Sequence, residues 1–421
     1  NKIIILMNKG FLYRIYPSEE QVSLIRKNIG SARFIYNKLV EWNNSVYESY
    51  KHDGVKNNTI PLVSSFKDEF PFLKEVDDYG LANARRNFIK SRTNFFSSLK
   101  SKRKGKKIKP PKFKSKNTSK WSYTTSFSHN NIRISNKTIR LPKIGLVKIN
   151  YHREIEGRIL SATVTEMRDG SFYVSVLTEF EKVVKPYINK ENPNVVGLDM
   201  SMDKFFVSSN EEDNTTTKYI RLYRKNEKKR KRLNRKMSKK QKVNSDVKVF
   251  SKKWNKEVVV KENSKNREKA RKKLAKLDKK ISNRRKDFCH KQSKLLVKKY
   301  DVIVIENINL QEMSNKLNLG KSVNDLGFGL FKSYLKYKSI EHNCLIIEAD
   351  RWFPSSKTCS SCGCINNNLK LSEREWVCPG CGQTHDRDFN AALNLRDCYF
   401  KIINTSGTEE IQACGDNAYM I

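Results

Sequence analysis

Five of the nine cysteines lie between positions 359 and 381, and four of them are spaced as Cys359-x-x-Cys362 and Cys378-x-x-Cys381. Two such knuckles, 15 residues apart, can bring four thiolates onto one tetrahedral ion, and zinc suits that donor set. Gly363, Gly380 and Gly382 suit the tight turns around the knuckles. Cys364 and His385 are spare ligands, and neither completes a knuckle. A closed four-thiolate site is structural, so this zinc ribbon assigns no activity by itself.

The second chemistry is that of carboxylates. Asp199 closes the apolar run Val195-Val196-Gly197-Leu198, and Glu306 closes Val302-Ile303-Val304-Ile305. Asp388 opens a helical pattern within His385-Asp386-Arg387-Asp388-Phe389-Asn390-Ala391-Ala392. Carboxylates at two strand ends and a helix start can hold two hard divalent cations roughly 4 Å apart. One cation then activates water and the other stabilises the leaving oxygen of a phosphodiester. Magnesium takes such oxygen ligands. Each residue also has a plainer reading, since an Asp after a strand is commonly a turn residue and an Asp opening a helix is commonly a cap.

The elements that would position these groups follow from periodicity. Residues 10–16 read as a strand, and Pro17-Ser18 then starts a helix, with Ser18 and Gln21 at capping-box spacing. Val22, Ile25 and Ile29 follow at helical spacing. Further helices are predicted at 34–42 and 81–99. The second mixes Arg85, Arg86, Lys90 and Arg92 with Phe88, Phe95 and Phe96, which we read as helix packing beside a basic face. The lysine-rich tract 100–120, with Pro110 and Pro111, reads as a linker or an arm on a phosphate backbone. Residues 138–149 alternate, and 159–167 and 171–180 flank the hairpin signal Asp169-Gly170. Residues 121–185 therefore form a small antiparallel unit, read as a barrel; the opening strand joins it, and the helices are an insertion. Residues 205–208 look like the hairpin partner of the strand ending in Asp199. Residues 221–300 are helical and carry 34 Lys and Arg against 7 Asp and Glu. Ala270, Leu274, Leu277, Ile281 and Phe288 make one packing stripe, and the remaining faces suit a nucleic-acid groove. Residues 241–263 break this periodicity and read as a loop insertion. A helix at 330–341, a third strand at 344–348 and a last helix at 388–403 complete the chain.

Composition points the same way. Lys and Arg number 85 against 44 Asp and Glu, a formal charge of +41, which calls for a polyanionic partner. Nucleic acid fits better than an acidic membrane surface. No stretch approaches the roughly 18 apolar residues of a membrane span. Residues 1–6 are too short for a secretory signal and, lying ahead of Met7, read as an extension of the native start. The expected location is the cytoplasm of a prokaryote, where a cysteine cluster binds metal and does not form disulfides.

At these residues the sequence resembles the TnpB proteins of insertion sequences, relatives of the type V CRISPR effector nucleases. The resemblance runs nearly end to end. It is carried by Tyr13-Arg14-Ile15-Tyr16-Pro17, Arg33-Phe34-Ile35-Tyr36-Asn37, Leu141-Pro142-Lys143-Ile144-Gly145, Gly197-Leu198-Asp199, Ser264-Lys265-Asn266-Arg267-Glu268-Lys269-Ala270 and Ile303-Val304-Ile305-Glu306-Asn307. Most specific are Phe353-Pro354-Ser355-Ser356-Lys357-Thr358-Cys359, the knuckles, Asp386-Arg387-Asp388-Phe389-Asn390-Ala391-Ala392 and Ala413-Cys414-Gly415.

The resemblance implies a multidomain α+β protein. Residues 1–16 and 118–190 would be a wedge-like β-barrel, with 17–117 an inserted helical recognition domain. Residues 191–353 and 385–421 would be an RNase H-like (RuvC-like) nuclease domain, with 354–384 the zinc-ribbon insert. It implies an RNA-guided DNA endonuclease of a transposable element that cuts beside a short flanking motif. Asp199, Glu306 and Asp388 would carry magnesium and the catalysis, with Asp386 second in rank for the third position. Cys359, Cys362, Cys378 and Cys381 would hold zinc. The expected partners are a guide RNA and double- and single-stranded target DNA, with no membrane and a monomeric protein. Ser201 stands where the family has Gly, and the insertion at 241–263 lengthens the basic region; neither removes a carboxylate. An RNA-guided repressor that does not cut, a small type V CRISPR effector and a strand-transferring transposase are the neighbouring readings. The intact carboxylates favour a nuclease, and a ribbon between the second and third of them favours the RuvC-like type.

Overall fold

A computed structural model describes residues 3–54, 59–100, 107–116, 121–184, 192–214, 221–251, 256–315, 319–370, 372–404 and 417–419. Parts of the lysine-rich tract and the motif around Cys414 lie outside these residues. The architecture is mixed α/β. The chain divides into two compact units, Ile5–Lys182 on the one hand and Asn1–Ile4 with Val183–Ile421 on the other.

In the first unit, β1 (Ile3–Tyr16) begins ahead of Met7 and leads into α1 (Glu19–Asp53). Ser18 and Gln21 cap that helix reciprocally, as their spacing predicts. A short α2 (Val63–Glu69) and α3 (Asp78–Leu99) follow, the latter capped by Asp77. Then come β2 (Ser122–Ser126), β3 (Arg133–Ile134), β4 (Thr138–Leu141), β5 (Gly145–Asn150), β6 (Arg158–Glu166) and β7 (Phe172–Val184). All seven strands form one sheet in the order β2-β6-β7-β1-β5-β4-β3. β6 and β7 pair antiparallel around Gly170, whose φ of +83° suits the predicted turn. Alternate residues Phe11, Tyr13 and Ile15 enter the sheet core, against Ile25 and Ile29 of α1. Of the aromatics on α3, Phe88 is core, whereas Phe96 is exposed with the Arg92 guanidinium over its ring.

The second unit is built on β8 (Val195–Asp199), β9 (Val207–Ser208), β12 (Val302–Ile305), β13 (Leu345–Glu348) and β16 (Asn417–Tyr419). Their order is β16-β13-β12-β8-β9, with β13, β12 and β8 parallel. Between β9 and β12 the chain forms α4 (Glu211–Asn214), α5 (Leu222–Lys239), β10 (Gln241–Ser251), β11 (Lys256–Asn263) and α6 (Lys265–Lys299). Between β12 and β13 lie α7 (Leu310–Asn315), α8 (Gly320–Leu326) and α9 (Phe328–His342). The last helix, α10 (Arg387–Asn404), follows the ribbon strands β14 (Glu375–Val377) and β15 (Thr384–Asp386). Residues 241–263 are not a loop: β10 and β11 pair antiparallel from Gln241↔Asn263 to Ser251↔Lys256. Val243, Val249 and Val258 to Val260 supply β-branched residues there, and the short alternation they make escapes a search for helical period.

The parallel strands β8, β12 and β13 are buried on both faces, which explains their continuous apolar runs. Val302, Val304, Leu345 and Ile347 pack with Leu395 and Tyr399 of α10. Val196, Leu198, Ile303, Ile305 and Ile346 pack on the opposite face with α6 and α9. Lys338 lies buried in the α6–α9 seam and donates to the His290 carbonyl (2.6 Å) and to Ser293 Oγ (2.7 Å). Burial pulls its amine down to about 8 from 10.5. Between those values the unfolded chain binds more protons, so this site adds stability as pH rises through the window. In thermal unfolding the wild type should therefore gain on Lys338→Met between neutral pH and about pH 10. A gap that stays constant or narrows contradicts this assignment.

Candidate functional site

Strand parity decides which way the carboxylates face. Val195, Gly197 and Asp199 alternate with the buried Val196 and Leu198, so Asp199 points to the α10 side. Glu306 follows Ile305 and shares that parity. Gly197 allows the close approach of α10: a Cβ there would meet the Ala392 carbonyl oxygen at 2.0 Å and the Arg396 nitrogen at 2.5 Å. The start of α10, with Asp388, is thereby drawn onto the end of β8. Behind Asp199, Phe205 adopts a left-handed φ of +77° while fully buried among Phe206, Phe288, Phe328 and Phe331. This aromatic cluster holds a strained backbone that fixes the loop carrying Ser201 and Asp203.

The electrostatics tie the three carboxylates together. Burial raises the Asp199 carboxyl well above the ordinary range, and the charges of Glu306 and Asp388 raise it further, against Arg387 and Arg374. Glu306 is also raised, by burial first, with Asp388 adding to the rise and Lys332 and Arg387 opposing it. Two buried oxygen-donor groups, each raised further by a neighbouring carboxylate and offset only in part by nearby cations, fit a hard divalent cation. Asp388 has its own neighbours: Arg374 Nη1 lies 3.1 and 3.0 Å from its two oxygens, and Ser201 Oγ lies 3.5 Å away. Ser201 thus touches the third carboxylate. Asp386 accepts from the Phe389 N–H at 2.8 Å as the N-cap of α10, which accounts for its conspicuous place in the motif.

Sequence reasoning passed over Glu348 as a candidate, a third carboxylate at a strand end. It shares parity with Ile346 and faces α9, where Lys336 Nζ (2.6 Å) and Lys332 Nζ (3.2 Å) pair with it. Burial raises its carboxyl, but the two lysines outweigh that and hold it below the ordinary range. At Glu348 the cations prevail, whereas at Asp199 and Glu306 burial prevails over the cations nearby.

The four cysteines form the other cluster. Sγ atoms of Cys359, Cys362, Cys378 and Cys381 all lie within 4.8 Å of one another. Among the described residues no other set of three or more His, Cys, Asp or Glu closes so tightly. This is the geometry of a four-thiolate zinc site. Gly363 (φ +77°) and Gly382 (φ +72°) turn the two knuckles, donating to the Cys359 and Cys378 carbonyls at 2.9 Å. Cys364 packs against Gly380 outside the four. His385 Nε2 lies 3.0 Å from Cys359 Sγ and is placed to orient that sulfur.

The ribbon is bolted to α10 by two asparagines whose role the motif did not reveal. Asn390 accepts from the Ser360 N–H (2.9 Å) and donates to the Thr358 carbonyl (2.7 Å). Asn394 donates to the Ser355 (2.7 Å) and Thr358 (2.6 Å) carbonyls. Both are buried. Asn394→Ala leaves the Ser355 carbonyl without this donor and should cost about 1–3 kcal/mol. It should also speed protease nicking within the ribbon; a variant cut and melted like the wild type contradicts the role.

Comparison with known proteins adds three matching families. The pattern described as "Probable transposase" matches residues 175–317, and "Cas12f1-like, TNB domain" matches 328–395. A "Helix-turn-helix domain" pattern matches 7–52, although α1 is one unbroken helix of 35 residues. A Streptomyces pristinaespiralis protein named "Putative RNA-guided DNA endonuclease" is 31% identical over 396 residues, covering 92% of this chain and 89% of that protein. The Escherichia coli K12 "Putative RNA-guided DNA endonuclease InsQ" is 24% identical over 92% of this chain and 91% of its own length. The mimivirus "TnpB-like protein L79" is 31% identical over 32% of this chain and 26% of that protein.

Proposed function

The chain belongs to the TnpB family of RNA-guided DNA endonucleases, and from that premise we propose that it cuts DNA selected by a guide RNA, using the carboxylates Asp199, Glu306 and Asp388. The observation that carries the site assignment is the mutual electrostatic influence of three carboxylates at the α10 side of the mixed sheet, two of them raised by burial and by a neighbouring carboxylate against nearby cations. They would hold magnesium, which when bound activates water and stabilises the leaving oxygen of a phosphodiester. Cys359, Cys362, Cys378 and Cys381 would hold zinc as a structural ion, keeping the ribbon folded beside Asp388.

The protein's own residues do the rest. Gly197 and the Phe205 cluster fix Asp199, Lys332 holds the Glu306 carbonyl, and Asn390 and Asn394 hold α10 and the ribbon together. The unit containing residues 191–353 and 385–421 is then RuvC-like in the RNase H manner, with 354–384 its ribbon. Residues 1–16 and 118–190 are the wedge-like barrel and 17–117 the recognition helices, which hold guide RNA and read the flanking motif. The lysines and arginines of α5 and α6 hold a nucleic-acid backbone. Base pairing between guide and target carries sequence choice, while the protein reads shape and the flanking motif.

The test is to purify the chain from its host with the RNA it retains and to sequence that RNA. A discrete RNA with a constant part and a variable end is expected. A random sample of cellular RNA contradicts guidance.

A further inference from the structure

Beyond the carboxylates, the carboxyl ends of the strands open onto a cavity of about 1000 Å³. It begins at Asn307, the residue after Glu306, and extends along α9 to Arg351. Three of its lining side chains are cationic, Lys332, Lys336 and Arg351, against one carboxylate, Glu348. Glu348 draws both ammonium groups to one point, and Lys332 Nζ also reaches the Glu306 carbonyl at 3.3 Å. Arg351 is itself paired with Glu312, so the two lysines against Glu348 leave the lining positive, on the α9 side of the strand end that carries Glu306.

At the rim stands Trp352, 81% exposed and the most exposed large apolar side chain among the described residues. A single exposed apolar residue usually needs no explanation. The backbone N–H of Trp352 donates to Asp350 Oδ1 at 2.7 Å, which fixes the turn that carries it, and the Arg351 guanidinium lies over its ring at 5.2 Å. An exposed aromatic face with a cation on it, next in the chain to a residue that lines a cation-bearing cavity, has the chemistry of a platform for an unpaired base. A duplex keeps its base faces stacked and cannot use it.

We propose that Trp352, Arg351, Lys332 and Lys336 form a nucleotide-binding subsite for the single DNA strand being cut, with a base on Trp352 and its phosphate on the lysines. The proposal rests on the nuclease reading of Asp199, Glu306 and Asp388. It adds which side chains of this protein would hold that strand.

The experiment measures binding of the full chain to a labelled oligothymidylate of about 12 nucleotides, a duplex of that length and an oligouridylate, in chelator and at high salt, where backbone attraction is screened. Trp352→Ala should weaken oligothymidylate binding roughly tenfold, and Trp352→Phe should restore most of it, with duplex binding unchanged. Unchanged oligothymidylate binding by Trp352→Ala overturns the subsite, as does an equal loss on duplex. A loss confined to oligouridylate overturns its assignment to DNA. Cutting of a guide-matched plasmid is measured alongside. A wild type that cuts while Trp352→Ala binds normally sinks only the subsite; a wild type that never cuts sinks the nuclease reading.

Discussion

Asp199→Asn should abolish cutting of a guide-matched plasmid while raising the thermal midpoint of the protein. The loss follows from removing one of the three proposed ligands, because bound cations in such a site stabilise the transition state by several kcal/mol, so the rate should fall roughly a thousandfold or more. The gain in stability follows from the raised Asp199 carboxyl. A carboxyl whose folded value lies above its unfolded one takes up protons on folding, so its ionised form opposes folding at neutral pH. Asparagine keeps the shape and removes the charge. Burial, Glu306 and Asp388 cause the shift, so Glu306→Gln should act in the same two directions. Undiminished cutting by Asp199→Asn removes Asp199 from the site; cutting lost together with stability makes it only a structural residue.

Cys378→Ser should remove zinc from the purified protein and lower cutting roughly tenfold or more, in the range found when outer supports of a site are lost. The small apolar cluster of the ribbon consists of Cys359, Leu369, Trp376 and Cys378, with Cys364 packed against it. Such a core is too small to fold alone, and a structural zinc contributes on the order of 10–16 kcal/mol in comparable modules. The consequence for cutting runs through short connections. His385 touches Cys359 Sγ, the Arg387 N–H donates to the Arg374 carbonyl at 2.7 Å, and Arg374 pairs with Asp388. Measured zinc content near one per chain, with cutting intact in the serine variant, would separate the ribbon from the site.

The parts of the site that were legible in the sequence are those with a local signature. Asp199 and Glu306 end apolar runs, and the knuckles have a spacing that few other constraints produce. The facing direction of Asp199 is also implicit in period-two alternation. Asp388 was ambiguous alone, because Asp386 two residues earlier competes for the same reading, and only the N-cap geometry separates them. What could not be read depends on partners far along the chain. Arg374 pairs with a carboxylate 14 residues away, Lys332 and Lys336 with a strand end across a helix–strand contact, and Asn394 with carbonyls up to 39 residues upstream. The β10–β11 pair was missed for a different reason: strong flanking helices set the expected period, and β-branched residues overrode it locally.

The most direct measurement replaces the variable end of the retained RNA with a chosen sequence and scores which of two plasmids is linearised in magnesium. Only the plasmid carrying the chosen sequence beside the flanking motif should be cut by the wild type, and neither by Asp199→Asn. Cutting that ignores the RNA sequence, or that persists in the Asp199 variant, contradicts the account.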